Sequence, residues 1–326
     1  MSLKKLNKIQ KAAVEANDGP ILIFAGAGSG KTRVLTHKMY FLINKGLYKP
    51  ENILSVTFTN KAAKEMKERV MGLLKKDDLP ITIGTFHSVF ARVLRTEAKH
   101  LKISPQFAIY DVQDQLDLLK VILKEKNITK DQVTPNQARN QISYLKNKMI
   151  MPEAQSRKAR TIIEKKIVEI YSSYQKALRE NDALDFDDLL LLPIELFDQN
   201  PKILAKYQRK WKYILVDEYQ DTNRPQFYLL TKLAQKNEQI CVVGDDDQSI
   251  YGWRGADVTN ILDFEKFFPS CRIFTLEKNY RSTQQILDAA TAVVTHNDQR
   301  AKKELIAENG EGELLGLFET RDELEE

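Results

Sequence analysis

Ile21-Leu22-Ile23-Phe24-Ala25-Gly26-Ala27-Gly28-Ser29-Gly30-Lys31-Thr32 is an apolar run that breaks into a glycine-rich turn and ends in Lys-Thr. Unbroken apolar character before the glycines predicts a strand buried on both faces, and the amphipathic stretch from Arg33 to Leu42 predicts the helix that follows. The turn between them has the composition of a phosphate cradle. Gly26, Gly28 and Gly30 let the backbone bend so that the N–H groups of the 25–30 turn converge on one anion at a helix N-terminus. Lys31 is then placed to reach β- and γ-phosphates, and the Thr32 hydroxyl to bind Mg²⁺. The motif as usually written has glycine where this chain has Ala25. An ordinary glycine-rich turn has the same outline, so the reading needs a second half elsewhere in the chain.

Downstream, Ile53 to Phe58 predicts a strand, followed by Thr59-Asn60-Lys61-Ala62-Ala63 and a helix to Leu74. A third strand, Ile81 to Ile83, leads into Gly84-Thr85-Phe86-His87-Ser88. Tyr213 to Val216 ends in Asp217-Glu218, Ile240 to Gly244 ends in Asp245-Asp246-Asp247-Gln248, and residues 272–276 supply a further strand. Such turns open on one edge of a parallel sheet, where ligands of α/β folds bind. From about Val89 to Asp185 helical periodicity dominates, as in Asp114 to Lys126 and Thr161 to Arg179, with a strand signal at Phe107 to Tyr110. The expected architecture is an α/β sheet interrupted by an all-α insertion. Pro135 and Pro152 fit first turns of helices, and Pro193 and Pro201 punctuate two more. Upstream, residues 3–17 predict a helix with Leu6, Ile9, Ala13 and Val14 on its buried face, and Gln10 offers an amide that can read an adenine edge.

A chain of 326 residues suggests two domains, and 42% hydrophobic residues are enough to fill them. The formal charge is +5, yet Arg139 to Arg179 alone carries ten basic against three acidic residues, a net +7. That density suits a surface facing a polyanion or a solvated helical face. Cys241 and Cys271 lie in apolar runs away from metal-ligand spacing and read as small buried hydrophobes. With no apolar run near the length of a bilayer span, a soluble, cytoplasmic protein with no membrane partner is expected. The acidic stretch from Glu308 to Glu326 reads as a frayed or incomplete end.

Asp217-Glu218 is the second half that the phosphate loop needs. Asp217 can join the Mg²⁺ shell while Glu218, no metal ligand itself, polarises the attacking water. Gln248 follows a strand expected beside that of Asp217, within reach of a γ-phosphate. Immediately after it, Tyr251, Trp253 and Arg254 among glycines make poor core and a good stacking platform for bases. In Asn279-Tyr280-Arg281-Ser282, Arg281 is a candidate arginine finger and Tyr280 a candidate adenine platform.

Taken together, Gln10, Ala25 to Thr32, Thr57 to Ala63, Gly84 to Ser88, Asp185 to Leu189, Asp217 to Asn223, Gly244 to Ala256 and Asn279 to Ser282 closely resemble, in order and spacing, the UvrD/Rep/PcrA group of superfamily 1 DNA helicases. Alanine at position 25 is also usual in that group. The resemblance implies a RecA-like P-loop core (1A) at residues 1–88 and 186–276, an inserted subdomain (1B) at 89–185 and the start of a second RecA-like unit (2A) at 277–326. It implies ATP-driven 3′ to 5′ translocation on single-stranded DNA and action at single-strand/duplex junctions, with accessory repair or replication proteins unidentified. Phe58, Tyr251, Trp253 and Arg254 would contact bases or backbone; Thr59, Asn60, Thr85 and His87 would line the strand's path; Arg33 would lie near the nucleotide. The family's later motifs are missing, so an N-terminal fragment is expected, binding nucleotide and single strands weakly, turning over ATP slowly and not unwinding duplex. A noncatalytic binding module, the motor part of a helicase-nuclease and a P-loop kinase are the competing readings.

Overall fold

The computed structural model describes residues 2–297, 300–316, 318–320 and 322. Its strands, in chain order, are β1 (Ile21–Ala25), β2 (Ile53–Thr57), β3 (Thr82–Thr85), β4 (Ala108–Tyr110), β5 (Ala183–Asp185), β6 (Tyr213–Val216), β7 (Ile240–Gly244), β8 (Arg272–Leu276), β9 (Lys278–Asn279) and β10 (Ile306–Ala307). Six of them form one parallel sheet in the order β3-β2-β6-β7-β1-β8. Every loop that the sequence marks for chemistry therefore leaves the same, C-terminal edge.

Both faces of the sheet are covered, which is why its strands read as unbroken apolar runs. Along β1 the side chains alternate: Ile21, Ile23 and Ala25 enter a core with Val34, Met39 and Met66, whereas Leu22 and Phe24 enter one with Phe90, Leu190 and Phe197. The first core is roofed by α1 (Lys8–Glu15), α2 (Lys31–Asn44) and α3 (Asn60–Leu74). The second lies under α4 (Phe86–Leu101) and later helices of the chain. Beyond α4, α5 (Val112–Glu125), α6 (Pro135–Asn147), α7 (Pro152–Ser156) and α8 (Ile162–Glu180) enclose a separate core that includes Leu119, Ile142, Ile170 and Tyr171. The strand signal at 107–110 is β4, and it pairs with β5 to close the neck of this helical block. Then come α9 (Asp188–Gln199), α10 (Pro201–Lys210), α11 (Arg224–Ala234), the short α12 (Thr259–Leu262) and α13 (Phe264–Phe267), and α14 (Gln284–Val294).

Local chemistry departs from the periodicity in three places. The helix expected over 3–17 is divided, because Asn7 caps a new helix: its side chain accepts from Gln10 N (2.8 Å) while Gln10 Oε1 accepts from Asn7 N (3.2 Å). The division turns Gln10, Ala13 and Val14 inward and leaves Ile9 exposed. Pro193 sits inside α9 rather than ending it. Burying Leu189, Leu190, Leu196 and Phe197 at roughly 1.5–3 kcal/mol each outweighs the ~3 kcal/mol cost of an interior proline. Residues 306–311 are docked, not frayed: β10 pairs with β9, and Gln284 N and Gln285 N donate to Gly310 O and Glu311 O.

Cys241 is fully buried in β7 and Cys271 half-buried. Among the described residues no helix is long and apolar enough to cross a membrane. Of the ten basic residues between 139 and 179, Lys146 is turned fully inward. A second buried ammonium, Lys38 on α2, donates to the carbonyls of Ala13 (3.0 Å), Val14 (3.4 Å) and Ala16, the orphan acceptors at the end of α1. Lys38→Met keeps the apolar stem and leaves those carbonyls unpaired. It should cost about 1–3 kcal/mol, read from urea unfolding, whereas the exposed Lys45→Met should cost almost nothing.

Candidate functional site

The nucleotide side is built where β1, β6 and β8 end. Gly30 takes φ +92° as the N-cap of α2, so Lys31 and Thr32 open the helix with their side chains toward β6. Gly28, at φ +70°, lies so close to the segment after β8 that an added Cβ would stand 2.6 Å from the Cβ of Arg281. That segment is stitched to the loop by Asn279, fully buried, whose Nδ2 donates to Ala27 O (2.6 Å) and whose Oδ1 accepts from Arg281 N and Ser282 N. Tyr280 N donates to Gly28 O, and its hydroxyl accepts from Asn7 Nδ2 (2.9 Å), leaving the ring 39% exposed. Gln10 Nε2 donates to Ser29 O (2.9 Å), so the amide braces the phosphate loop with the same face that could read a base. Arg33 extends to the carbonyl of Lys5. Leu305 packs on Gly26 from the other side.

At the strand end, Thr32 Oγ1 lies 3.5 Å from Asp217 Oδ2, and Lys31 Nζ 3.5 Å from Glu218 Oε2. Burial, then the charge of Glu218, push the Asp217 carboxyl up to about 7 despite Lys31. Asp221 is raised to about 6 by the same two causes, and its Oδ1 is buried without a partner. The carboxyls of Asp217, Glu218 and Asp221 outnumber Lys31, the ammonium that faces them, and leave an excess of acidic groups. A divalent cation fits that excess, with Thr32 and Asp217 as the residues that would hold it. Among the described residues no group of three or more His, Cys, Asp or Glu side chains is placed to hold a metal ion.

Gln220, buried beside them, joins the two central loops. Its Nε2 donates to Glu218 Oε2 (3.0 Å), and its Oε1 accepts from Asp245 N (2.9 Å) at the end of β7. Gln248 Nε2 donates to Asp245 Oδ2, and Ser249 Oγ to Gln220 O (3.2 Å). Asp245, Asp246 and Asp247 are neutralised from the far side by Lys303, with Arg300 on Asp247.

From Ser249 the chain crosses the end of β6 to the far half of the sheet edge. There Tyr251 stacks on Phe58, which follows β2, with centroids 5.1 Å apart and planes 26° apart. Trp253, 75% exposed, projects beside this pair; the side chain of Arg254 lies outside the described residues. Thr59 and Thr85 cap α3 and α4, and Asn60 opens α3. His87 meets the half-exposed Phe186 edge-on at 5.6 Å, and burial pulls its imidazole down to about 4, a neutral, flat group at neutral pH. Gln220, Asn279 and Phe186 carry this geometry without having been singled out by sequence reasoning. Each stood inside a quoted motif, but an amide or a phenyl ring announces no chemistry until its partners are placed.

A parallel sheet with a phosphate loop, an acidic strand end and a glutamine in the turn after the adjacent strand defines a RecA-like P-loop nucleotide-binding protein. The family comparison is more specific. The UvrD/REP helicase N-terminal domain matches residues 6–269 and the UvrD-like helicase C-terminal domain residues 274–326; the chain belongs to the UvrD/Rep helicase family. It is 48% identical over 324 residues to the ATP-dependent DNA helicase PcrA of Bacillus subtilis, and 46% identical to the proteins of that name from Staphylococcus epidermidis and Staphylococcus aureus. In each case the match covers 99% of this chain and 44% of the relative.

Because the folded Asp217 titrates above its unfolded value, its contribution to stability is complete below pH 4 and is lost as pH rises toward 7. Asp217→Asn should therefore raise the free energy of unfolding more at pH 8 than at pH 5, by about 3 kcal/mol in urea unfolding. An equal effect at both pH values would remove the buried-charge account.

Proposed function

We propose that this chain is the nucleotide-binding and DNA-contacting part of an ATP-driven motor that moves 3′ to 5′ on single-stranded DNA and opens duplex at junctions, serving cytoplasmic DNA repair or replication. In this reading residues 1–88 and 186–276 form the RecA-like core, 89–185 the inserted subdomain and 277–326 the opening of a second RecA-like unit. One observation carries it: a single loop, 245–254, holds Gln248 at the nucleotide side and the Tyr251–Phe58 stack at the other. A γ-phosphate gained or lost at one end of so short a segment displaces the rings at the other.

The chemistry assigns each residue a role. Glu218 orients the attacking water and takes its proton, while Lys31 offsets the charge that develops on the phosphates. Arg281, held against the phosphate loop by Asn279, stabilises the transferring phosphoryl group. The loop amides of 25–30 cradle the phosphates, with Gln10, Arg33 and Tyr280 around the base and sugar. Thr32 and Asp217 would hold Mg²⁺, which would supply counter-charge for the phosphates. On the DNA side, the rings of Phe58, Tyr251, Trp253 and Phe186 offer faces to bases, and Thr59, Asn60, Thr85, His87 and Arg254 line the path. The Phe58–Tyr251 stack is worth roughly 0.5–1.5 kcal/mol and a stacked base ~1–3 kcal/mol, so a base can displace or extend it whatever its identity.

ATP turnover with and without a single-stranded oligonucleotide tests this. Glu218→Gln should lower turnover by about 10²-fold or more, and Trp253→Ala should lower DNA-stimulated turnover by about ten-fold. Nucleotide and DNA binding without turnover would identify a noncatalytic module, and indifference to Trp253→Ala would fit a kinase instead. Displacement from 3′-tailed but not 5′-tailed duplexes tests the direction.

A further inference from the structure

Apart from Phe186, the acidic string Asp185-Phe186-Asp187-Asp188 has no part in the chemistry above, yet Asp185 and Asp188 are buried. They hold Lys146, the last but one residue of α6, at 0% exposure: its Nζ donates to Asp185 Oδ2 (2.7 Å) and Asp188 Oδ1 (2.8 Å), and the Tyr174 hydroxyl donates to Asp185 Oδ2 (3.1 Å). Burying three ionisable groups costs several kcal/mol per ion, which their attraction repays only with good geometry, and apolar side chains of similar volume are often as stable. The cluster is better explained by what it places than by the stability it adds.

What it places is Asn147. Its Oδ1 accepts from Asn223 Nδ2 (2.7 Å), and its Nδ2 donates to Asp187 Oδ1 (3.1 Å) and Ser143 O (2.9 Å). Gly255, at φ +85°, passes so close that an added Cβ would stand 3.2 Å from Asn147 Oδ1. These three neighbours belong to three different working segments. Asp187 follows Phe186. Asn223 ends the loop that begins at Asp217, caps α11 and bridges Ala256. Gly255 follows Trp253 and Arg254.

We propose that Asn147 is a positioning residue: one amide of the insertion, set by the Lys146 cluster, that keeps Phe186 and the 251–256 loop in register with the carboxylate loop 217–223. This rests on the reading of those segments as DNA contacts. The amide has one donor pair and one acceptor; besides Ser143 O in its own helix, it reaches Asp187 and Asn223, and so adds a link from the insertion to the bridge that Asn223 makes with Ala256. Losing it frees the stacking loop to shift while the phosphate loop, on the other side of β6, is untouched.

The test is the affinity of the 326-residue chain for a fluorescently labelled single-stranded oligonucleotide, alongside its affinity for a fluorescent ATP analogue. Asn147→Ala should weaken oligonucleotide binding about five- to ten-fold, the size of one lost buried hydrogen bond, and change nucleotide affinity by less than about two-fold. Gly255→Ala, which drives a methyl group at the same amide, should reproduce the defect. The double variant should be no worse than either alone, because both act on one contact. A purely structural role would instead give additive losses that follow the melting temperature and reach nucleotide binding too. Oligonucleotide affinity unchanged in Asn147→Ala, in a protein where Trp253→Ala does weaken it, would overturn the proposal and leave the DNA reading standing. If Trp253→Ala is also without effect, or the wild-type chain binds no oligonucleotide, the DNA reading falls and takes the proposal with it. Should Asn147→Ala fail to fold, Asn147→Ser and Gly255→Ala carry the same comparison.

Discussion

Two adjacent carboxylates at the end of a buried strand, faced by one ammonium, are the constraint around which the molecule is arranged. Asp217 is buried, Glu218 is its neighbour in the chain, and Lys31 is the cation that reaches them. Glu218 adopts φ +49°, a left-handed conformation that costs a non-glycine residue about 1–2 kcal/mol and that begins the tight turn Tyr219–Asp221. That strain and that charge are tolerable because the rest of the fold is rigid there: β6 lies in the middle of a sheet buried on both faces, and Gln220 fastens Glu218 to the next loop. A divalent cation would offset that charge.

The same neighbourhood could not bear the three further aspartates after β7 unless they were neutralised separately. Lys303 and Arg300 do this from outside, and the Asp247 carboxyl, although half-buried, is held below the usual range by them. Gln248 and Gln220 are thereby left to act as neutral amides between charged loops. An amide that donates to one loop and accepts from another transmits displacement without adding charge, which is what a link between a phosphate site and a base-stacking surface requires.

Much of this was legible in the sequence. Apolar runs ending in glycine or acid located the strands of the main sheet, since a strand buried on both faces cannot disguise itself, and the turns that follow them leave one edge of it. What escaped was the work of polar groups whose partners are far away in sequence. Nothing about Asn279 foretells that it binds Ala27, 252 positions earlier, or that Lys146 in a basic stretch would turn inward to Asp185. The charge count of 139–179 was correct as a count and overstated as a surface, because composition cannot distinguish a solvated lysine from one inside an ion cluster. Local competition explains the rest. A capping box at Asn7 outweighed helical periodicity across 3–17, and tertiary burial outweighed a proline in α9.

The seam between the helical insertion and the sheet shows why such partners are polar. An apolar seam would hold the two cores together over a range of offsets, since hydrophobic burial is nearly indifferent to a slide of an ångström. Hydrogen bonds are not: at 2.7 Å between Asn223 and Asn147, a slide of that size breaks the bond. Breaking it leaves Asn147 Oδ1 and Asn223 Nδ2 partly buried without partners, at a cost larger than the bond itself contributes. A polar seam therefore has few stable registers where an apolar one has many. In the proposed reading, where Phe58, Tyr251 and Trp253 offer faces to bases, the number of registers decides whether a change at the nucleotide arrives at those rings as a defined movement or is dissipated.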